Sequence, residues 1–168
     1  MTPLEIDIKI ISRVSKIKEN ENFRFRSFLK GQDGEKVDRI AHRLNAEVES
    51  LIDCTSCGNC CENLRPCVND LEIDALAKID HVLRKYFIEN FTEKDDFENI
   101  RYLKNIPCKY LNKKKCSVYV DRPEDCRSYP HIQKGSFNSR TLRIIGNYGI
   151  CPIVFNVWER LKTEFKFR

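Results

Sequence analysis

At 168 residues, with 41% hydrophobic and 33% charged side chains, the chain has the balance of a globular protein rather than a disordered or membrane-embedded one. No apolar run approaches the roughly 18 residues that a membrane span needs. The formal net charge of +5 would by itself suit nucleic acid as a partner, and nine cysteines are too many for ordinary packing.

The opening Met1-Thr2-Pro3-Leu4-Glu5-Ile6-Asp7 carries acids where a signal peptide would carry a basic region and an apolar stretch. That reading is cytoplasmic. Residues 4–30 lean to helix, with Ile10, Val14 and Ile17 on one face and Phe25, Phe28 and Leu29 on another. The alternation of Ile6, Ile8 and Ile10 also admits a short strand, and Gly31 with Asp33-Gly34 breaks the pattern. Val37, Ile40, Ala41, Leu44, Val48 and Leu51 then keep helical spacing up to Asp53 and Cys54. The cysteines that follow are therefore expected to hang on the end of a packed helix.

Asn69 with Glu72 three residues on forms a capping box, and Ile73, Leu76, Ala77, Leu83 and Phe87 mark a third helix to about Asn90. The acidic stretch Thr92 to Asn99 reads as a loop. Cys108-Lys109-Tyr110-Leu111 and Cys116-Ser117-Val118-Tyr119-Val120 flank Asn112-Lys113-Lys114-Lys115, which predicts a small β-hairpin with a solvated lysine turn. Pro123 suits the first position of a short helix that Pro130 ends after two turns. Thr141 to Ile145 reads as a strand and Gly146 to Gly149 as a turn. Pro152 opens a last helix, whose Ile153, Val154, Val157, Trp158, Leu161 and Phe165 make a broad apolar face. The expected fold is α+β and mainly helical, one domain over residues 1–168. A helical part (4–53) and a C-terminal helix (152–165) flank a cysteine-rich region (54–151).

The cysteines carry the chemistry. Cys54, Cys57, Cys60 and Cys61 fall in the pattern C-x2-C-x2-C-C, Cys108, Cys116, Cys126 and Cys151 follow far down the chain, and Cys67 is a ninth. In a reducing compartment such clusters are metal sites more often than disulfides, and an odd count would strand one thiol. A C-x2-C pair lets two thiolates converge on one ion from a tight turn, and Gly58 relaxes the backbone of the second such turn. Neighbouring side chains usually leave the backbone in different directions, so Cys60 and Cys61 are expected to join two centres or one polynuclear centre. Zinc and iron–sulfur clusters both accept four thiolates, and the residues leave the two alternatives open. Eight thiolates would remove eight charges and two dipositive centres would restore four. The chain is then left near +1, and nucleic acid loses its electrostatic motive. Pro152 makes Cys151 a helix cap residue, and Cys126 sits in a helical first turn, where dipoles favour thiolate. Arg122 and Arg127 flank Cys126 and either offset the thiolate charge or are ordinary surface arginines. His42 and His81 read as surface positions on helices, His131 as a lesser candidate ligand or proton donor, Cys67 as a buried small residue and Trp158 as core.

The blocks Cys54-x2-Cys57-Gly58-Asn59-Cys60-Cys61, Pro107-Cys108, Cys116-Ser117-Val118-Tyr119, Arg122-Pro123-x2-Cys126-Arg127-Ser128-Tyr129-Pro130 and Cys151-Pro152 resemble, in order, the YkgJ-type cysteine-cluster family of zinc- or iron-chelating proteins. The resemblance spans about residues 23 to 165. It implies metal ligands at Cys54, Cys57, Cys60, Cys61, Cys108, Cys116, Cys126 and Cys151, and leaves Cys67 out. The function expected is metal binding, with metal ions as partners and no membrane. The alternative is an iron–sulfur redox or group-transfer enzyme, an oxidoreductase or a distant relative of lysine N-methylases. No G-x-G-x-x-G loop supports the last of these, and no C-x3-C-x2-C run supports radical S-adenosylmethionine chemistry.

Overall fold

The structure is a computed structural model that describes residues 3–168; Met1 and Thr2, part of the acidic opening weighed against a signal peptide, lie outside the described residues. The described residues form ten helices and two antiparallel two-stranded sheets, a mainly helical α+β fold. They group into two compact units. One joins the residues up to Asp53 with those from Pro130 onward, and the other runs from Cys54 to Tyr129. The first boundary coincides with the start of the cysteine-rich region at Cys54, and the second falls inside the expected region 54–151.

The first unit contains α1 (Ile8–Ile17), α2 (Glu19–Lys30), α3 (Gly34–Glu49), α9 (Phe137–Tyr148) and α10 (Pro152–Glu164). Side-chain carboxylates cap three of these helices. Asp7 accepts from the amides of Lys9 and Ile10, and Asp33 from those of Glu35 and Lys36, satisfying donors that a helix start leaves open. The carboxylate of Asp38, on α3, does the same for α9, accepting from Ser136 and Phe137 at 2.8 Å each. Pro152 stands at the first position of α10, with Cys151 as its cap residue. The core is continuous and apolar: Ile11, Phe25, Leu29, Val37, Ala41, Val48, Phe137, Ile153, Val154, Trp158 and Leu161 are all buried. Phe25 meets the Trp158 ring edge-on at 5.1 Å, and the indole N–H donates to the buried Asn22 at 3.0 Å.

The second unit is built of shorter pieces. α4 (Cys54–Cys57) and α5 (Asn59–Asn63) precede α6 (Asp70–Ile79) and α7 (Arg84–Phe91). β1 (Thr92–Asp95) pairs with β2 (Ile100–Leu103), β3 (Leu111–Asn112) pairs with β4 (Lys115–Cys116), and α8 (Glu124–Arg127) follows. Arg84 pairs with Asp70 at 2.5 Å and Asp74 at 2.7 Å, folding α7 back on α6. The core is small: Val68, Ile73, Leu76, Ala77, Phe87, Leu103, Tyr110 and Val118, with Cys108 and Cys116 packed against it.

Several expected elements differ. Residues 141–148 are helical, because Phe137, Thr141, Ile144 and Tyr148 recur on one buried face, and that period outweighs the β-branched composition. Gly146 is tolerated inside α9, where a side chain would meet nothing within 4 Å. The third helix is two, broken at His81, whose positive φ of 54° puts it outside a helix. Thr92 to Asp95 is an exposed strand rather than loop, paired Thr92 to Leu103 through Asp95 to Ile100, with the Arg101 guanidinium donating to the Thr92 hydroxyl at 3.0 Å. Asp7 starts α1 as a cap, so Ile6 to Ile10 is no strand. α3 ends at Glu49, and Leu51 beyond it is exposed, so the cysteine knuckle does not continue a helix. Pro123 is the cap residue of α8, which lasts one turn.

Candidate metal centre

The knuckle is two short helical turns hinged at Gly58, whose φ of 64° is a left-handed conformation that side chains disfavour. Space demands glycine as well, since a Cβ there would lie 2.6 Å from the Lys114 carbonyl oxygen. Lys114 belongs to the expected hairpin, which forms with Leu111 opposite Cys116 and Asn112 opposite Lys115. Lys113 and Lys114 both take positive φ, the sense of turn that matches the strand twist. α4 packs against β4, so the hairpin delivers Cys116 to the knuckle. Cys108 is delivered by a backbone bond, its amide donating to the Cys61 carbonyl at 2.8 Å. Its neighbours fasten the same turn. The Lys109 ammonium pairs with Asp80 and lies 3.5 Å from the centre of the Phe91 ring, and the Tyr110 hydroxyl donates to Asp80 at 2.9 Å.

Adjacent Cys60 and Cys61 project from α5 with their sulfurs 4.0 Å apart. Two thiolates about 2.3 Å from one tetrahedral zinc would stand about 3.8 Å apart. The spacing fits a shared ion, so adjacency alone does not require two centres.

The sulfurs feel one another. Contact with Cys60 pushes the Cys61 thiol far up, burial adding to it. Burial raises Cys108 and Cys116, each raised further by Cys61, and pushes Cys126 up to about 12, with Cys61, Cys108, Asp125 and Cys116 adding to the rise. Opposing influences are built in. The Tyr110 amide donates to the Cys108 sulfur and the Val118 amide to the Cys116 sulfur, at the same two-residue spacing, and both favour thiolate. The charges of Lys109 and Arg122 act in the same direction. Such a cluster stays uncharged by keeping its protons, or gives them up when a cation offsets part of the thiolate charge. Soft sulfur donors, half-buried and partly compensated, fit a thiophilic metal.

Cys126 rides on α8, which has no buried residue of its own. Side chains hold it. Asp125 accepts the Cys67 amide at 2.9 Å, and Glu72, already half of the α6 capping box, accepts the Glu124 amide at 2.7 Å with its second oxygen. The Arg127 guanidinium donates to the carbonyls of Val120 and Arg122, and that of Arg122 lies 3.7 Å from the centre of the Tyr119 ring.

Of the eight predicted ligands, the Cys54–Tyr129 unit contains seven. Cys61, Cys108, Cys116 and Cys126 lie within electrostatic reach of one another and Cys60 adjoins Cys61, while exposed Cys54 and half-buried Cys57 sit on α4 beside the hairpin. Cys151, buried, belongs to the other unit. Among the described residues, no group of three or more His, Cys, Asp or Glu side chains stands arranged to hold a metal ion. Cys67 is half-buried rather than buried, and it faces Tyr102, whose hydroxyl it helps to raise. His131 opens a loop of the first unit, its carbonyl accepting from Arg140 at 2.7 Å. His42 is half-buried on α3, its ring 3.3 Å from the Lys134 carbonyl. Sequence reasoning passed over Asp125 and Asp80, and saw only the capping oxygen of Glu72; spacing carries no signal for a carboxylate that reaches a backbone amide 52 residues away. No helix among the described residues is long and apolar enough to cross a membrane.

No curated protein and no solved structure matches the chain. A family model does, over residues 53–143, more than half of the length; the match includes seven of the eight predicted ligands and stops short of Cys151. With its knuckle, hairpin and α8 cysteines inside that match, the chain belongs to the CxxCxxCC family, described as a candidate zinc- or iron-chelating domain.

Proposed function

We propose that the protein is a metal-binding module that holds zinc or iron through cysteine thiolates. Cys60, Cys61, Cys108, Cys116 and Cys126 form the heart of the site, and Cys54 and Cys57 join from α4. The observation that carries this reading is the cluster of half-buried Cys61, Cys108, Cys116 and Cys126 in mutual electrostatic reach, with the Cys60 sulfur 4.0 Å from that of Cys61. Zinc would supply a structural cross-link; an iron–sulfur cluster would supply an electron-transfer centre. The chain's own part is to gather the sulfurs, to favour thiolate through the amides of Tyr110 and Val118 and the charges of Lys109 and Arg122, and to shelter them from water. The thiolates serve one polynuclear centre or two neighbouring centres, and the protein is cytoplasmic, where they stay reduced.

Cobalt(II) titration of the metal-free chain tests the reading. Intense thiolate-to-cobalt absorption that saturates at a fixed ratio and is displaced by zinc is expected, and the ratio counts the centres. Absorption of hydrated cobalt alone would refute it. Protein purified without oxygen then separates the metals, because an iron–sulfur cluster is brown and zinc is colourless.

A further inference from the structure

α8 is a single turn with no fully buried residue, yet it carries the half-buried Cys126, so apolar packing of the turn gives little to fix where that sulfur points. Arg127 ties the turn to the chain just before it, and the segment Pro66–Glu72 anchors it from outside through two carboxylate-to-amide bonds running in opposite directions. Pro66 to Val68 lies along β2, with the Leu103 amide donating to the Pro66 carbonyl at 3.0 Å and the Val68 amide to Arg101 at 2.8 Å. Alternation along such an edge turns the intervening Cys67 amide away from β2. It is satisfied by Asp125 at 2.9 Å, from the residue next to Cys126. In return α8 offers the Glu124 amide to Glu72 at 2.7 Å, while the other oxygen of Glu72 accepts the Asn69 amide at 2.8 Å. The Asn69 side chain accepts the Glu72 amide at 3.0 Å, a bond separate from both bonds of the Glu72 carboxylate.

We infer that Glu72 and Asp125 are positioning residues for the metal centre: together they clamp α8 so that the Cys126 sulfur faces Cys61, Cys108 and Cys116. The inference rests on the metal-binding reading for its purpose, but not for its geometry. Residues that orient metal ligands in this way typically cost about tenfold or more in affinity when removed. The clamp also makes Cys126 the most conditional of the half-buried ligands, since Cys108 and Cys116 are packed on a core and α8 is not.

Two measurements on the full chain test this. In the metal-free protein, the rate at which iodoacetamide alkylates Cys126 is followed by peptide mass mapping. In the zinc-loaded protein, affinity is read by competition with a chromophoric chelator. E72A and D125A are each expected to speed alkylation of Cys126 about tenfold and weaken zinc about tenfold. D125N keeps an acceptor oxygen and is expected to restore both. N69A removes the other half of the α6 cap without touching α8, and is expected to change neither.

Unchanged alkylation of Cys126 in both E72A and D125A would overturn the clamp, and so would equal effects of N69A and E72A on both readouts. If the wild-type chain binds no zinc, the alkylation arm still decides the clamp, and only the metal reading fails.

Discussion

The two units solve the problem of holding a fold together with different materials. The first buries five helices' worth of apolar side chains, with Phe25, Trp158, Tyr148 and Phe137 essentially inaccessible. Its buried polar groups include one joined network: Tyr148 donates to Glu159 at 2.8 Å, and the Lys162 ammonium reaches both Glu21 and Glu159 at 2.6 Å. The second unit has eight buried apolar residues in its core, a hairpin of two-residue strands and three helices of five residues or fewer. Strands and helices that short are not stable alone. Its half-buried residues are instead disproportionately cysteine, which is what a region looks like when a metal replaces part of a core.

The comparison breaks most visibly under a chelator. Metal removal is expected to open the Cys54–Tyr129 unit to limited proteolysis while the helices of the other unit keep their circular dichroism. Simultaneous loss of both would deny that the units differ. Trp158→Ala probes the reverse case. The cavity and the orphaned Asn22 should cost about 3–5 kcal/mol in denaturant unfolding, with bound metal per folded chain unchanged.

Gly58→Ala comes next. Its Cβ would press on the Lys114 carbonyl and its φ would be strained, so separation of the knuckle from the hairpin should weaken metal binding about tenfold or more, with the first unit's unfolding unaffected. pH sharpens the same point. The folded, metal-free thiols of Cys108, Cys116 and Cys126 ionise above their ordinary value near 9.0, so the stability they carry is complete below about pH 9 and is lost as pH rises toward the Cys126 value of about 12. Metal affinity runs the other way. Each bound thiol must release a proton, so affinity should climb with pH through neutrality, and a weakly buffered solution should acidify on zinc addition. Smallest of all, Cys67→Ser should leave metal content unchanged, because the Cys67 side chain faces Tyr102 and only its amide serves α8.

The elements most legible in the sequence were those with a local cause. Apolar periodicity found α3 and α10, the Asn69–Glu72 pair found the start of α6, and the lysine turn found the β3–β4 hairpin. α9 was misread because Thr141, Ile144 and Ile145 are strand-formers by composition, while the Asp38 carboxylate that caps the helix comes from about a hundred residues away in sequence. The strand Thr92–Asp95 escaped because three of its four residues are exposed and show no alternation. At the site, cysteine spacing pointed to the ligands, but not to what aims them. The Gly58–Lys114 approach, the Asp125 and Glu72 bonds and the Lys109–Asp80 pair are all non-local, and each becomes visible only when the chain is folded.

The central claim is that sulfurs of the Cys54–Tyr129 unit gather around a bound metal. Elemental analysis of the native protein prepared without oxygen, paired with alkylation mapping of its cysteines, tests it most directly. The account predicts at least one zinc or iron per chain, with Cys60, Cys61, Cys108, Cys116 and Cys126 shielded until the metal is withdrawn. Protein free of both metals, with those five sulfurs freely alkylated or paired as disulfides, would contradict it.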